Sequence, residues 1–416
     1  MASSTKVLKN QKDYHLEINT NLILIVCISL TGIVGVIGIN PAMPDIAKAL
    51  NIPNEQVGLI VTSFLIPSTI GSLMFGALAD RFGRKQILVP SLLVFGLGGI
   101  LCALTNNFRS LLEWRFLAGI GAASLEPLEL TLLSDLYSGP RLTSAMGFNA
   151  AMIGITATIC PIIGGALGGL NWRYPFLLSL IAFPMALLVV TKLKLPKLPS
   201  KQHNTQNIPF NVYLKNIWIN VKNPQVFGLL FALFCMFIIE LGTFYTYVPI
   251  LAGTTLKASV AEIGIILCCE SIAFSLAASQ LGLLARHFSE KSLIVVGFLI
   301  FVVSLLIVPA IHNSWLLILP CVLFGASQAL AFPTMQAMLA GVAPEGYRAG
   351  FMALNVTVQS LGRALGPLFA GFAYSVWGMG GVFYSSAALS IIAIVVFALM
   401  TTSKKLKRLT SHNPAH

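Results

Sequence analysis

The sequence predicts an all-α polytopic membrane protein, with twelve transmembrane helices in two six-helix bundles. Three observations predict it. The chain is 56% hydrophobic and only 10% charged, against about 25% charged in a soluble protein. Its apolar residues fall into runs long enough to cross a bilayer, which takes about 20 residues each. Its first half also recurs in its second half at one constant offset.

The elements follow in order. Residues 1–21 are polar and carry Lys6, Lys9 and Lys12, which predicts a cytoplasmic tail. No cleavable signal peptide is expected, because this tail leads into a full-length apolar run. Six spans follow: Leu22–Asn40, Val57–Ala79, Ile87–Leu104, Leu111–Leu133, Ser144–Leu167 and Tyr174–Val190. Together they make an N-terminal bundle over 22–190. Residues 191–223 form a basic linker with Lys192, Lys194, Lys197, Lys201, Lys215 and Lys222. The second bundle covers 224–402, with spans Val226–Leu251, Ile263–Leu284, Ser292–Ile311, Leu316–Leu339, Ala349–Ala373 and Val382–Thr401. A second cytoplasmic tail, 403–416, carries Lys404, Lys405, Lys407 and Arg408.

Charge sets the orientation. With both termini inside, twenty of the 26 Lys and Arg residues fall on cytoplasmic segments. Four fall outside: Lys48, Arg109, Arg173 and Lys257. That is the bias the positive-inside rule demands. The net charge of +12 is therefore topogenic and does not point to nucleic acid. The seven cysteines all lie in apolar runs without a Cys-x-x-Cys pair, so neither a disulfide framework nor a metal site is expected.

The repeat is specific. The stretch Gly76–Lys85 answers Gly282–Lys291, an offset of 206. At the same offset Gly119 and Pro127 answer Gly325 and Pro333, Asn149 answers Asn355, and Cys160-Pro161 answers Gly366-Pro367. Parallel repeats of this kind place a substrate site near the bilayer midplane, between the halves.

Gly76-Ala77-Leu78-Ala79-Asp80-Arg81-Phe82-Gly83-Arg84-Lys85 is a tight charged loop between two apolar runs. It resembles the signature loop between helices 2 and 3 of the major facilitator superfamily of transporters. Leu112-Glu113-Trp114-Arg115-Phe116-Leu117-Ala118-Gly119 resembles that family's fourth-helix motif with a buried arginine. Cys160-Pro161-Ile162-Ile163-Gly164-Gly165, preceded by Gly154, resembles the fifth-helix motif of twelve-helix drug/proton antiporters. Cys160 departs from that motif, which has glycine there. The resemblance covers nearly the whole chain. It implies the major facilitator fold, and it implies that Asp80 caps the start of the eleventh helix while Arg84 reaches Asp135. Arg81, Arg84 and Lys85 also serve as topogenic charge. The glycines also suit close helix packing, and Pro161 also suits an ordinary kink.

Charges within spans mark cavities or partners, since each costs on the order of 2.5–3.5 kcal/mol at a helix centre. Arg115, Glu126 and Glu129 share one face of the fourth span, with Pro127 expected to distort it. Asn355, Gln359 and Arg363 share a face of the eleventh, and Glu240, Thr243 and Tyr247 a face of the seventh. Glu270 lies mid-span in the eighth. Exchange against protons needs a carboxyl that binds and releases a proton near ambient pH, which burial of an acid supplies. Glu126 is the first candidate, Glu240 the second and Glu270 the third. Arg115 lies 11 residues from Glu126, about 16 Å along the axis at 1.5 Å per residue, so the two do not pair. Arg363 is expected to approach Glu126 or the substrate from the other half.

The chain has no Gly-x-x-x-x-Gly-Lys-Ser/Thr loop, no clustered histidines and no Ser/His/Asp arrangement. A nucleotide-driven pump or an enzyme is not suggested, and no cofactor is expected. The reading is a monomeric secondary transporter in the cell membrane. It moves amphipathic small molecules outward against protons. The alternative is an exporter or importer of one metabolite such as a siderophore, a sugar or an organic anion; Arg115 and Arg363 favour an anionic group in that case. A non-transporting sensor or intramembrane enzyme would not need the retained half-repeat.

Overall fold

The computed structural model describes residues 19–137, 139–193, 223–342 and 348–402. Among these the secondary structure is helical throughout, with no strand. In the N-terminal half the main helices are α1 (Thr20–Ile37), α2 (Gly58–Phe82), α3 (Arg84–Leu104), α4 (Phe108–Ala122), α5 (Leu125–Leu136), α6 (Gly139–Leu170) and α7 (Ala182–Thr191). The C-terminal half holds α8 (Pro224–Ile238), α9 (Val260–His287), α10 (Glu290–Ile307), α11 (Ile318–Val342) and α12 (Arg348–Thr402). Ten segments among the described residues are long and apolar enough to cross a membrane. The chain is thus a multi-pass membrane protein.

Local chemistry sets the ends of these helices. Asn19, Asn107 and Asn223 each cap a helix start by accepting a hydrogen bond from a backbone N–H two or three residues on. One residue, Gly83, separates α2 from α3. Its φ of 100° lies where only glycine is comfortable, so the sharp reversal depends on it. Gly378, at φ 69° and ψ −167°, interrupts the 55-residue α12 in the same way, so that two helices meet there at a kink.

Proline divides the fourth span. Its helix stops at Ala122 and restarts at Leu125, with Pro127 in the first turn of α5. Pro127 has no N–H to give the carbonyl of Ala123, and its ring crowds that carbonyl. The seventh span departs from α geometry too. Ile239–Tyr247 and Leu251–Thr255 are wide π turns flanking the short helix Val248–Ile250.

Contacts sort the chain into two units, one within Met1–Lys201 plus Tyr245–Ser271, the other within Gln202–Phe244 plus Ile272–His416. The first unit is packed around Ile25, Ile28, Phe64, Leu92, Phe95 and Leu128. Lipid tails are as apolar as leucine, so helices associate there through close packing of small residues. Gly98 lies against the backbone of Ala118, and Gly121 against that of Phe95. In the second unit Phe244 stacks on Phe324 at 4.1 Å, and Phe301 meets Phe324 edge-on at 4.7 Å. Gly242 lies against the backbone of Gly366.

Candidate transport site

The charged loop makes one clear link. Arg84 Nε lies 2.8 Å from Asp135 Oδ2, with both side chains largely buried at 18% and 17% exposure. The ion pair ties the start of α3 to the end of α5. Lys85 donates to the carbonyl of Val190 at 3.5 Å. Arg81 is exposed and sits over the Phe82 ring at 5.4 Å. The surroundings of Gly76 and the side chain of Asp80 lie outside the described residues, as does the capping expected of Asp80.

Arg115 is buried at 3% exposure. Its Nε donates to the Ile60 carbonyl at 3.2 Å and its Nη1 to the Gly35 carbonyl at 3.0 Å. The guanidinium also lies over the Phe64 ring at 4.5 Å. One arginine therefore holds α1, α2 and α4 together, through acceptors that carry no charge. Its Nη2 finds no hydrogen-bond partner among the described residues. It borders a small cavity lined by Gly35, Phe95, Gly99, Phe176 and Ser179.

Of the two glutamates on α5, Glu129 is buried at 1% exposure and Glu126 is exposed. The burial expected of Glu126 therefore belongs to Glu129. Three residues turn a helix by about 300° at 3.6 residues per turn, so the two side chains point some 60° apart. Glu129 accepts a hydrogen bond from Ser29 of α1 and feels the charge of Glu126.

The fifth-helix glycines differ among themselves. A Cβ on Gly164 would run into the backbone of Gly38 in α1, and one on Gly165 would come within 2.8 Å of the Val260 carbonyl. Among the described residues, nothing lies within 4 Å of that position at Gly154. Pro161 lies inside α6, and its carbonyl faces Gly264 of α9.

The second unit brings together residues far apart in sequence. Glu240 sits in the first turn of the π segment. Its carboxylate accepts a hydrogen bond from the Gln328 side chain and feels the charge of Arg363. Its Oε2 is buried without a hydrogen-bond partner among the described residues. Arg363 does not close onto the acid as an ion pair; its guanidinium lies over the Phe237 ring at 4.5 Å. One turn along α12 from Arg363, Gln359 donates to Asn355 at 3.0 Å, and Asn355 donates to Gln336 of α11. Thr243 is hydrogen-bonded to Ser386.

The remaining acid is fully engaged within the first unit. Glu270 is buried and accepts from Tyr245 at 2.7 Å and from Ser271 at 3.1 Å. Tyr247, also buried, donates to the Asn54 carbonyl at 3.1 Å.

Gln328, Gln336 and Phe237 belong to this arrangement and were not singled out from the sequence. Gln328 and Gln336 lie at i, i+8 on one helix face, with the apolar Phe332 at i+4 between them. That pair was the available signal.

The chain matches the model of the Major Facilitator Superfamily over residues 22–259 and 241–415. It is 26% identical to Multidrug resistance protein 2 of Bacillus subtilis over 397 residues, covering 94% of this chain and 97% of that protein. It is 25% identical over 362 residues to the Quinolone resistance protein NorA of Staphylococcus aureus, covering 86% and 90%. Against the inner membrane transport protein YajR of Escherichia coli the identity is 24% over 387 residues, covering 92% and 83%. Among solved structures, a bacterial homologue of the human lysosomal transporter Spinster aligns with a TM-score of 0.76 at 16% identity, over 91% of this chain and 96% of that one. A D-xylose-proton symporter aligns at 0.71, also at 16% identity, over 91% and 97%. The helical repeat, the charged loop and these matches agree: the chain belongs to the major facilitator superfamily of transporters.

Proposed function

We propose that this protein is a proton-coupled exporter of amphipathic small molecules that works by alternating access. The observation that carries the reading is Glu240, an acid inside an apolar span that is held by Gln328 and faced by Arg363 without an ion pair. An intramembrane ionisable residue is by default functional. Here the carboxylate has a buried oxygen without a hydrogen-bond partner among the described residues, open to a proton or to a cationic group of the substrate. The names of the relatives support the direction, since multidrug and quinolone resistance are outcomes of export.

The cycle follows from charge. Glu240 takes a proton from outside, which neutralises the site and releases substrate. The neutral site turns inward. Substrate arriving from the cytoplasm then favours loss of the proton to that side. Glu240 takes precedence over Glu126 here because Glu126 is exposed. Counting α2 as a span and dividing α12 at Gly378 gives twelve spans, with both termini in the cytoplasm and the protein a monomer in the cell membrane.

Inside-out vesicles with an acidic lumen test the reading. Ethidium, a planar amphipathic cation, should accumulate in them and leave when nigericin collapses the pH gradient. Accumulation that ignores nigericin would reject proton coupling. Absence of accumulation across a panel of amphipathic cations, set against uptake of one sugar or organic anion, would favour the single-metabolite alternative.

A further inference from the structure

The mechanism above needs Glu240 to lose its proton to the cytoplasm, yet the acid lies deep in an apolar span. A polar stripe runs away from it along α12, where Arg363, Gln359 and Asn355 mark successive turns, and faces two glutamines on α11, Gln328 and Gln336, which lie two helical turns apart with Phe332 on the turn between them. The two helices meet at both ends: Glu240 joins Gln328 and Arg363 at one, and Asn355 donates to Gln336 at the other. Between them Gln359 donates to Asn355 at 3.0 Å. Gln328, Asn355 and Gln359 are buried, at 7%, 1% and 7% exposure, while Glu240, Arg363 and Gln336 are half-buried. The seam is thus closed in its middle and half-buried at both ends, with the Gln336 end near the connection from α11 to α12.

Arg363 and Asn355 are eight residues apart, about 12 Å along the axis at 1.5 Å per residue. Half the hydrocarbon thickness is about 15 Å. The seam therefore spans nearly the whole distance from a midplane acid to the membrane surface. Carboxamides suit such a path. Each carries donors and acceptors that order water, and none ionises itself.

We propose that this seam is the proton-release route of Glu240, a file of water held between α11 and α12. The idea rests on Glu240 as the coupling acid. In the release step the carboxyl O–H bond breaks, the electron pair stays on the carboxylate, and the proton passes to a water molecule. The hydronium charge moves along the seam to the cytoplasm. Arg363 is the charged group facing the acid, and with Gln328 it holds the carboxylate left behind. Gln359 is the positioning residue midway along the α12 stripe, between Arg363 and Asn355.

The test compares two assays in proteoliposomes with ethidium as the probe. One reads transport driven by a pH gradient; the other reads exchange at equal pH, which needs no net proton movement. In Gln359→Met, gradient-driven transport should fall about tenfold, as one added step of about 1.4 kcal/mol would cause, while exchange persists. Gln359→Asn, which still holds water, should recover driven transport. Gln336→Met, at a half-buried end, should slow driven transport less than Gln359→Met. Equal loss of both assays in Gln359→Met, or no loss of driven transport, overturns the route, since the seam would then be packing alone. Glu240→Gln separates the two ideas: if that variant stays gradient-driven, the coupling acid is wrong and the route falls with it. If it loses driven transport while Gln359→Met does not, the route alone fails.

Discussion

Arg84 and Asp135 form an ion pair, 2.8 Å between Nε and Oδ2, that joins the start of α3 to the end of α5. Fully exposed pairs contribute about 0.2–1 kcal/mol. This one is largely shielded and sits beside the Gly83 reversal, so it restrains how two helices of the same unit can move. Asp135→Asn and Arg84→Gln should each change turnover by about fivefold, roughly 1 kcal/mol of coupling, with substrate binding kept. The charge swap Arg84→Asp with Asp135→Arg should recover part of the rate. Turnover that is additive across the double-mutant cycle would show that the pair has no role in the cycle.

Arg115 is a structural tie within its unit. Its guanidinium satisfies two buried carbonyls on different helices, Ile60 and Gly35. Arg115→Leu removes both hydrogen bonds, though the Ile60 carbonyl keeps one from Ser63 Oγ at 3.2 Å, and a hydrogen bond to a charged group contributes about 1.5–3 kcal/mol. Arg115→Lys keeps the charge but loses the planar fork, so it should be only partly rescued. The measurement is the thermal midpoint of the detergent-purified protein. An unchanged midpoint in Arg115→Leu would assign the residue to the substrate instead.

The fifth-helix glycines predict a contrast. Gly164→Ala drives a methyl group into the backbone of Gly38, and overpacking of this kind costs about 1–3 kcal/mol. Gly154→Ala meets open space and should be silent in both stability and transport. Thermal midpoints and ethidium efflux of the two variants decide it. A silent Gly164→Ala would remove the close α1–α6 approach from the account.

Much of this was legible in the sequence, for physical reasons. Uninterrupted apolar runs dictate spans, because no water in the bilayer can pair a broken backbone. The Gly83 turn and the Pro127 break follow from local chemistry that any reader of the chain can apply. The partnership of Arg84 with Asp135 came only from resemblance. Other features are invisible without coordinates. Glu126 and Glu129 are three residues apart, and hydropathy cannot say which of the two is buried. Glu240 and Arg363 are 123 residues apart in sequence, and only the folded chain brings the acid, Arg363 and Gln328 together. The π turns shift the face that α-helical spacing would assign to Glu240, Thr243 and Tyr247; Thr243 bonds Ser386 and Tyr247 bonds the Asn54 carbonyl. Gly154 and Gly164 look alike in a motif, yet only one has a neighbour that excludes a side chain.

Glu240 carries the account, and its neutral isostere tests it most directly. Wild type, Glu240→Gln and Glu126→Gln are reconstituted in parallel, and ethidium transport is followed with and without an imposed pH gradient. Glu240→Gln is predicted to run at the same rate in both conditions while still exchanging ethidium at equal pH, and Glu126→Gln to remain gradient-driven. A Glu240→Gln protein that still responds fully to the gradient, beside a Glu126→Gln protein that does not, would contradict the account and move the coupling acid to α5.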